Sequence, residues 1–331
     1  MSEADEIYVL DTGSEDNSVE LLQKAGVKVF KKEIKPWRFD SARNVALELL
    51  PMDIDICVST DIDEVFVSGW RKEVECAWKK NTTRLKYKYV WSFNSDGTDG
   101  VVYYLDKIHS RLGYKWINAV HEVLYSENEV FSVAENVRLE HHPDKTKSRG
   151  QYLELLEISV KEDPENDRNV HYLAREYMYN SRFKEAIKTF LTHLSLKNAT
   201  WKDERAASMR YIARCYANLG NVSEAYKYYL LAITEAPHLR ETWLDAAYFE
   251  YYRENYVGTI YFIEYALNIK ERSMNYINEA NSWGAMPYDV LSIAYYKIGD
   301  IEKAKENVKK AIKLSDEKRL RDNLYIYEKA N

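Results

Sequence analysis

The second half of the chain repeats itself, and that repetition limits the fold more than any other feature. After about residue 150, long helical patterns follow one another, joined by short polar turns. Four segments align: "NVHYLAREYMYNSRFKEAIKTF", "RYIARCYANLGNVSEAYKYYLLAITEAP", "ETWLDAAYFEYYRENYVGTIYFIEYALNI" and "YDVLSIAYYKIGDIEKAKENVKKAIKLS". A small residue recurs in the second helix of each (Ala186, Ala225, Thr259, Ala304), at intervals of 39, 34 and 45. Ala174, Ala213, Ala247 and Ser292 hold the matching place in the first helices. Tyr177, Tyr216 and Tyr295 follow three residues on, and Gly220 and Gly299 fall at the turns. Small residues let paired helices approach closely, and bulky ones fill the groove between neighbouring pairs. The longest interval contains "KERSMNYINEANSWGAMP", an insertion expected to extend a helix or form a loop. The Lys-rich last segment reads as a solvent-facing cap.

This spacing resembles the tetratricopeptide repeat, and residues 151–331 are expected to form an all-α superhelix of that kind. Such superhelices offer an extended concave face. Tyr172, Tyr179, Tyr211, Tyr248, Tyr251 and Tyr252 would either line it or pack between helices. A peptide, another protein or a glycan would sit there, and tail-to-tail homodimerisation is the other use.

Residues 1–150 follow a different grammar. Short apolar runs at 7–10, 27–30 and 54–59 alternate with helical patterns closed by turn formers. Alternation of this kind implies parallel strands covered by helices. "TRLKYKYVWSF", the turn "NSDGTDG" and "VVYYLDKIHS" then read as a strand and its return. The third run ends in "ICVSTDIDEVF", which delivers Asp61, Asp63 and Glu64 to one point. Like charges brought together need a partner. A divalent cation with oxygen ligands would serve, and a plain exposed turn is the alternative. Asp11 also follows a strand, and Arg43 opens a helix from which it would reach diphosphate or close an ion pair with the acids.

Five segments together resemble family 2 glycosyltransferases of the GT-A fold: "ADEIYVLDTGSEDNSVELLQKAG", "WRFDSARNVALELL", "DICVSTDIDEVF", "YKWINAVHEVLY" and "RLEHHPDKTKSRGQYLELL". The resemblance covers essentially the whole chain, in the branch that carries a tetratricopeptide tail. It implies an α/β GT-A-like domain over 1–150 and an inverting, metal-dependent transfer of sugar from a nucleotide-diphosphate donor, expected to be UDP-linked. Asp61, Asp63, His121 and His141 would bind Mn²⁺ or Mg²⁺. Asp11, Arg43, Asp61 and Arg111 would hold the nucleotide. Glu122, with Asp99 second, would deprotonate the acceptor. Family members begin with a further strand and helix ahead of a segment like "ADEIYVL", so the domain is expected to be N-terminally short. The alternative is a non-catalytic or partner-dependent protein-binding scaffold derived from such an enzyme.

Composition narrows the partners. A formal net charge of -6 gives no general attraction to nucleic acid or anionic lipid. "KTKSR" at 145–149 is too short a basic run to reverse that. No apolar stretch reaches the roughly 18 residues that span a bilayer. Three scattered cysteines fit a reducing compartment, so a cytoplasmic location is expected.

Overall fold

The computed structural model describes residues 3–94, 96–144 and 151–330. The chain divides into two compact units, Met1–Phe93 with Val102–Asp163, and Asn94–Val101 with Pro164–Asn331. The expected boundary at 150, and the basic run at 145–149, fall outside the described residues.

In the first unit, β1 (Tyr8–Asp11) and β2 (Lys28–Lys31) pair in parallel, with Tyr8 opposite Lys28 and helix α1 (Ser18–Lys24) connecting them. Helix α2 (Phe39–Glu48) follows. The next strands are β3 (Ile56–Val58) and β4 (Glu64–Phe66), then helix α3 (Trp70–Ala77), then β5 (Arg84–Val90) and β6 (Val102–Ser110). A separate ribbon joins β7 (Lys115–Ile117) to β8 (Val123–Tyr125), and β9 (Phe131–His141) completes the set.

The expected run of parallel strands stops after β2. The larger sheet has the order β3-β6-β5-β9-β4, and only its β5–β9 pairing is parallel. The cause is local. The turn signal sends β6 back antiparallel to β5, and its far edge takes β3 as an antiparallel neighbour. Along β5 the residues alternate, with Leu85, Tyr87 and Tyr89 buried and Lys86 and Lys88 exposed. That period of two places the core on one face. Trp70 and Val74 of α3 close it, together with Ile108, Val137 and Leu139. Helix α4 (Tyr152–Glu162) belongs to this unit, and its Ser159 hydroxyl accepts the Ala119 amide at 3.3 Å.

The second unit is a series of antiparallel helix pairs. They are α5 (Asp167–Tyr179) with α6 (Phe183–Ser195), α7 (Lys202–Asn218) with α8 (Val222–Glu235), α9 (Arg240–Tyr252) with α10 (Tyr256–Asn268), and α11 (Met286–Lys297) with α12 (Ile301–Leu314). A last helix, α13 (Lys318–Lys329), covers the end through buried Leu320 and Tyr327. All eight small-residue positions read from the repeat are fully buried. Without larger side chains there, the helix axes can close up. Each inter-helix turn carries one residue with positive φ: Ser181, Gly220, Glu254 and Gly299, at 59°, 75°, 59° and 88°. Three of these turns lead into a capping side chain. Asn221, Asn255 and Asp300 accept the amides of Glu224, Gly258 and Lys303.

The insertion between α10 and α11 is irregular except for one 3₁₀ turn, Ala280–Ser282. It therefore lengthens neither helix. Of the six tyrosines assigned to the face or the packing, Tyr172 and Tyr211 are buried and Tyr179 and Tyr252 are exposed. Among the described residues no helix is long and apolar enough to cross a membrane.

Candidate functional site

Asp61 and Glu64, past β3, are held by two cations from the chain itself. Arg43, on α2, donates through Nη2 to Asp61 Oδ1 at 2.6 Å and through Nε to Glu122. Lys107, on β6, reaches Asp61 Oδ2 at 3.1 Å and Glu64 Oε1 at 3.3 Å. The second oxygen of Glu64 accepts the Asp61 amide at 2.9 Å. Burial pushes the Asp61 carboxyl up, but the charges of Lys107 and Arg43 outweigh it and hold it at about 2. The Arg43 guanidinium also lies 4.8 Å from the Trp116 ring. Its neighbour Asn44 fixes this arrangement: the amide nitrogen donates to Trp116 O, and the amide oxygen accepts Trp116 N, both at 2.8 Å. Asn44 thus behaves as a strand partner for β7, and α2 carries Arg43 to the acids by the same anchor.

The other site residues scatter. Asp63 lies 3.6 Å from His141 Nε2, and the His141 ring stacks on Trp91 at 4.3 Å. His121 adopts φ 52° and packs beside Tyr152, with ring centroids 5.9 Å apart. Arg111 donates to the Leu50 carbonyl from Nε and Nη2, at 3.2 and 3.1 Å. Asp11 accepts the Ser14 amide at 3.0 Å and shapes the turn after β1. Hydrogen bonds from Ser14 hold its carboxyl below the usual range. Asp99 groups with the second unit and Glu122 with the first.

A cation site would need carboxylate oxygens turned towards a common point. Here both Asp61 oxygens and one Glu122 oxygen face Arg43 or Lys107 instead. Asp61 and Glu122 are thus neutralised by cationic side chains of the chain itself.

A second polar constellation, absent from the sequence reading, lies in the repeats. Arg210 and Arg214, one turn apart on α7, both grip Asp245 of α9. Their contacts run from 2.7 to 3.3 Å. Glu279, from the insertion, accepts Arg210 Nη2 at 2.7 Å and Arg214 Nη2 at 3.0 Å. Burial raises the Glu279 carboxyl, and the two guanidinium charges overcome this and hold it at about 2. Arg210 is fully buried, and its Nη1 has no hydrogen-bond partner. The sequence did hold a signal. Two arginines four apart interrupt the otherwise apolar run "RYIARCYA", on a helix whose face must be covered.

Nearby, Asp167, His193 and Glu204 bring ligand-type atoms within 4.8 Å of one another. His193 Nε2 already meets Glu204 Oε1 at 3.2 Å, and its Nδ1 meets the Ser208 hydroxyl at 2.9 Å. The other Glu204 oxygen accepts the Tyr276 hydroxyl. This is an internally bonded cluster.

A family model described as "Tetratricopeptide repeat" matches residues 212–239 and 288–318. No curated protein matches. Similar solved structures include MamA, at 16% identity and TM-score 0.39, covering 50% of this chain and 82% of that one. PilF of Pseudomonas aeruginosa is similar at 12% identity and TM-score 0.41, covering 52% and 72%. YrrB, titled as a repeat protein with an unusual peptide-binding site, gives 14%, 0.39, 54% and 83%.

The α-helical unit is thus a tetratricopeptide-like superhelix. The expectation of a metal-dependent glycosyltransferase is corrected. The matched family model is that of the repeat. Of the acids assigned to metal and base, Asp61 and Glu122 are tied up by Arg43 and Lys107, and Asp63 lies beside His141. The enzyme assignment is corrected with it.

Proposed function

We propose that the chain is a non-catalytic interaction scaffold, in which the tetratricopeptide superhelix holds a partner polypeptide and the sheet unit is a derivative of a GT-A-like domain. The ancestry rests on the five resembling segments. The loss of chemistry rests on one observation: Arg43 occupies both Asp61 and Glu122, so one acid assigned to the cation and the first-choice base are spent on one guanidinium. The binding role rests on the matched repeats and on the exposed aromatic residues Tyr179 and Tyr252 carried by first helices. Aromatic side chains give large contact area for little lost freedom, which suits recognition.

A random-peptide display library panned on the full chain tests this. Selected peptides should share a consensus and should slow amide exchange in α5, α7 and α9. Calorimetry with UDP-sugars and Mn²⁺ should show no heat of binding. Failure to enrich any peptide, or turnover of a UDP-sugar, overturns the reading.

A further inference from the structure

The insertion over 270–284 lies as a strap on the first helices of three successive repeats. Its anchors are mostly side chains, joined by the Glu279 amide, which donates to Glu241 Oε1, and the Ser282 carbonyl, which accepts Arg240 Nη1, both at 3.2 Å. The Tyr276 ring stacks on Tyr172 of α5 at 5.6 Å, meets Trp201 edge-on at 5.6 Å, and donates its hydroxyl to Glu204 of α7. Three residues later Glu279 enters between Arg210 and Arg214 of α7. Four residues further, the Trp283 indole donates to Glu241 of α9 at 3.0 Å, and Arg240 covers its ring at 3.7 Å. Between the first two anchors Ile277 is buried in the cluster that holds Ala174, Ala207 and Tyr211. Asn275 donates to Asp203 at 2.9 Å.

Two features make this more than loop packing. The helices already pack pairwise through their small residues, and the strap adds Ile277 and Tyr276 to the apolar cluster of α5, α6 and α7. The surface beneath it is also specific. Two arginines share one acid of α9 and have donors left for a second, which Glu279 takes through Arg210 Nη2 and Arg214 Nη2. Beside them, Tyr172 and Trp201 form an aromatic seat. The strap satisfies both with an aromatic residue and a carboxylate three positions apart.

We propose that this face is a docking surface for an extended partner segment bearing an aromatic side chain followed three residues later by a carboxylate, and that residues 270–284 occupy it in cis until such a segment displaces them. This rests on the scaffold reading and names the partner's chemistry. Anchoring mainly through side chains is what makes exchange feasible. An incoming segment can replace the contacts one at a time, whereas a paired strand would have to be stripped as a unit. Competition by the strap lowers apparent affinity by the fraction of time the face is free.

The test uses the full chain and a fluorescein-labelled peptide of sequence KERSMNYINEANSWG, read by fluorescence anisotropy. The double variant Tyr276→Ala, Glu279→Ala loosens the strap and should bind the peptide at least about tenfold more tightly than the unaltered chain. A peptide with the acid changed to lysine should not bind. Adding Arg214→Glu to the loosened chain should abolish binding. A folded loosened chain, shown by unchanged helix circular dichroism, that binds no better than the unaltered one overturns the proposal. If the double variant fails to fold, the unaltered chain with millimolar peptide decides. Amides over 275–283 should then exchange faster, and unchanged exchange overturns the proposal equally. Display-selected peptides that bind while the strap peptide does not would sink this inference and leave the scaffold reading standing. Failure of both would remove both.

Discussion

Arg43 Nη2 lies 2.6 Å from Asp61 Oδ1, and its Nε donates to Glu122, 79 residues further along the chain. One guanidinium thus joins the end of β3 to the segment before β8. Glu122 is nearly buried, whereas Asp61 is half-exposed and keeps Lys107. Arg43→Ala should therefore destabilise the first unit by about 2–3 kcal/mol, below the usual cost of breaking a fully buried pair. Urea unfolding followed by exchange in β7 and β8 would show it. Adding Glu122→Gln should recover part of the loss, because the buried charge is then gone. A cost under about 0.5 kcal/mol would mean the pair is solvated and inconsequential.

Asp245 accepts from both Arg210 and Arg214 and is itself buried. Asp245→Ala leaves Arg210, which no solvent reaches, with Glu279 as its remaining acid. The expected cost is about 3–5 kcal/mol in the second unit. Circular dichroism at the helix band, titrated with urea, measures it. A loss below about 1 kcal/mol would show that Glu279 alone suffices.

The inter-helix turns offer a gain as well as a loss. Glu254 holds φ 59° at the place where Gly220 and Gly299 hold 75° and 88°. An L residue with a Cβ is disfavoured there, so Glu254→Gly should stabilise by about 0.5–1 kcal/mol. Gly220→Ala should cost about 1 kcal/mol for the same reason, although a Cβ there meets no atom within 4 Å. Equal midpoints for both variants and the unaltered chain would contradict the conformational argument.

The repeats were legible because their signal is local and recurs. Ala186, Ala225, Thr259 and Ala304 each state the same packing requirement, and each is fully buried. The sheet was less legible. Runs such as "ICVS" show that a strand forms, but its direction depends on which edge is free, and β6 supplied an antiparallel edge. The acids of 61–64 were rightly seen as needing a partner. The sequence offers Arg43 as either a phosphate contact or an ion pair, and nothing in it points to Lys107. Sequence spacing cannot decide between a metal and a lysine 46 residues away. Glu279 lay hidden in an insertion without periodicity, so nothing local linked it to Arg210, 69 positions earlier.

Acid should weaken the first unit in two steps with separate origins. Burial pushes the His109 imidazole down from 6.5 to about 4, its Nδ1 facing the Ser110 carbonyl at 2.7 Å and its Nε2 unpartnered. Above pH 6.5 neither the native nor the unfolded ring is charged, so the group costs nothing. Below it the unfolded chain takes a proton that the native chain refuses until about pH 4, and stability falls through that window. One proton is worth about 1.4 kcal/mol per pH unit, so the loss approaches about 3 kcal/mol. Asp61 acts lower. Its native carboxyl is depressed from 3.8 to about 2, so its contribution is complete above 3.8 and disappears as pH drops towards 2. Slowest-exchanging amides of β5 and β6, read by mass spectrometry between pH 7 and 4.5 and corrected for intrinsic rates, report this unit alone. His109→Gln should flatten the slope in that range and leave the steeper fall below pH 4 in place. The same slope in both proteins would show that His109 is protonated in the native state and that the window belongs to another group.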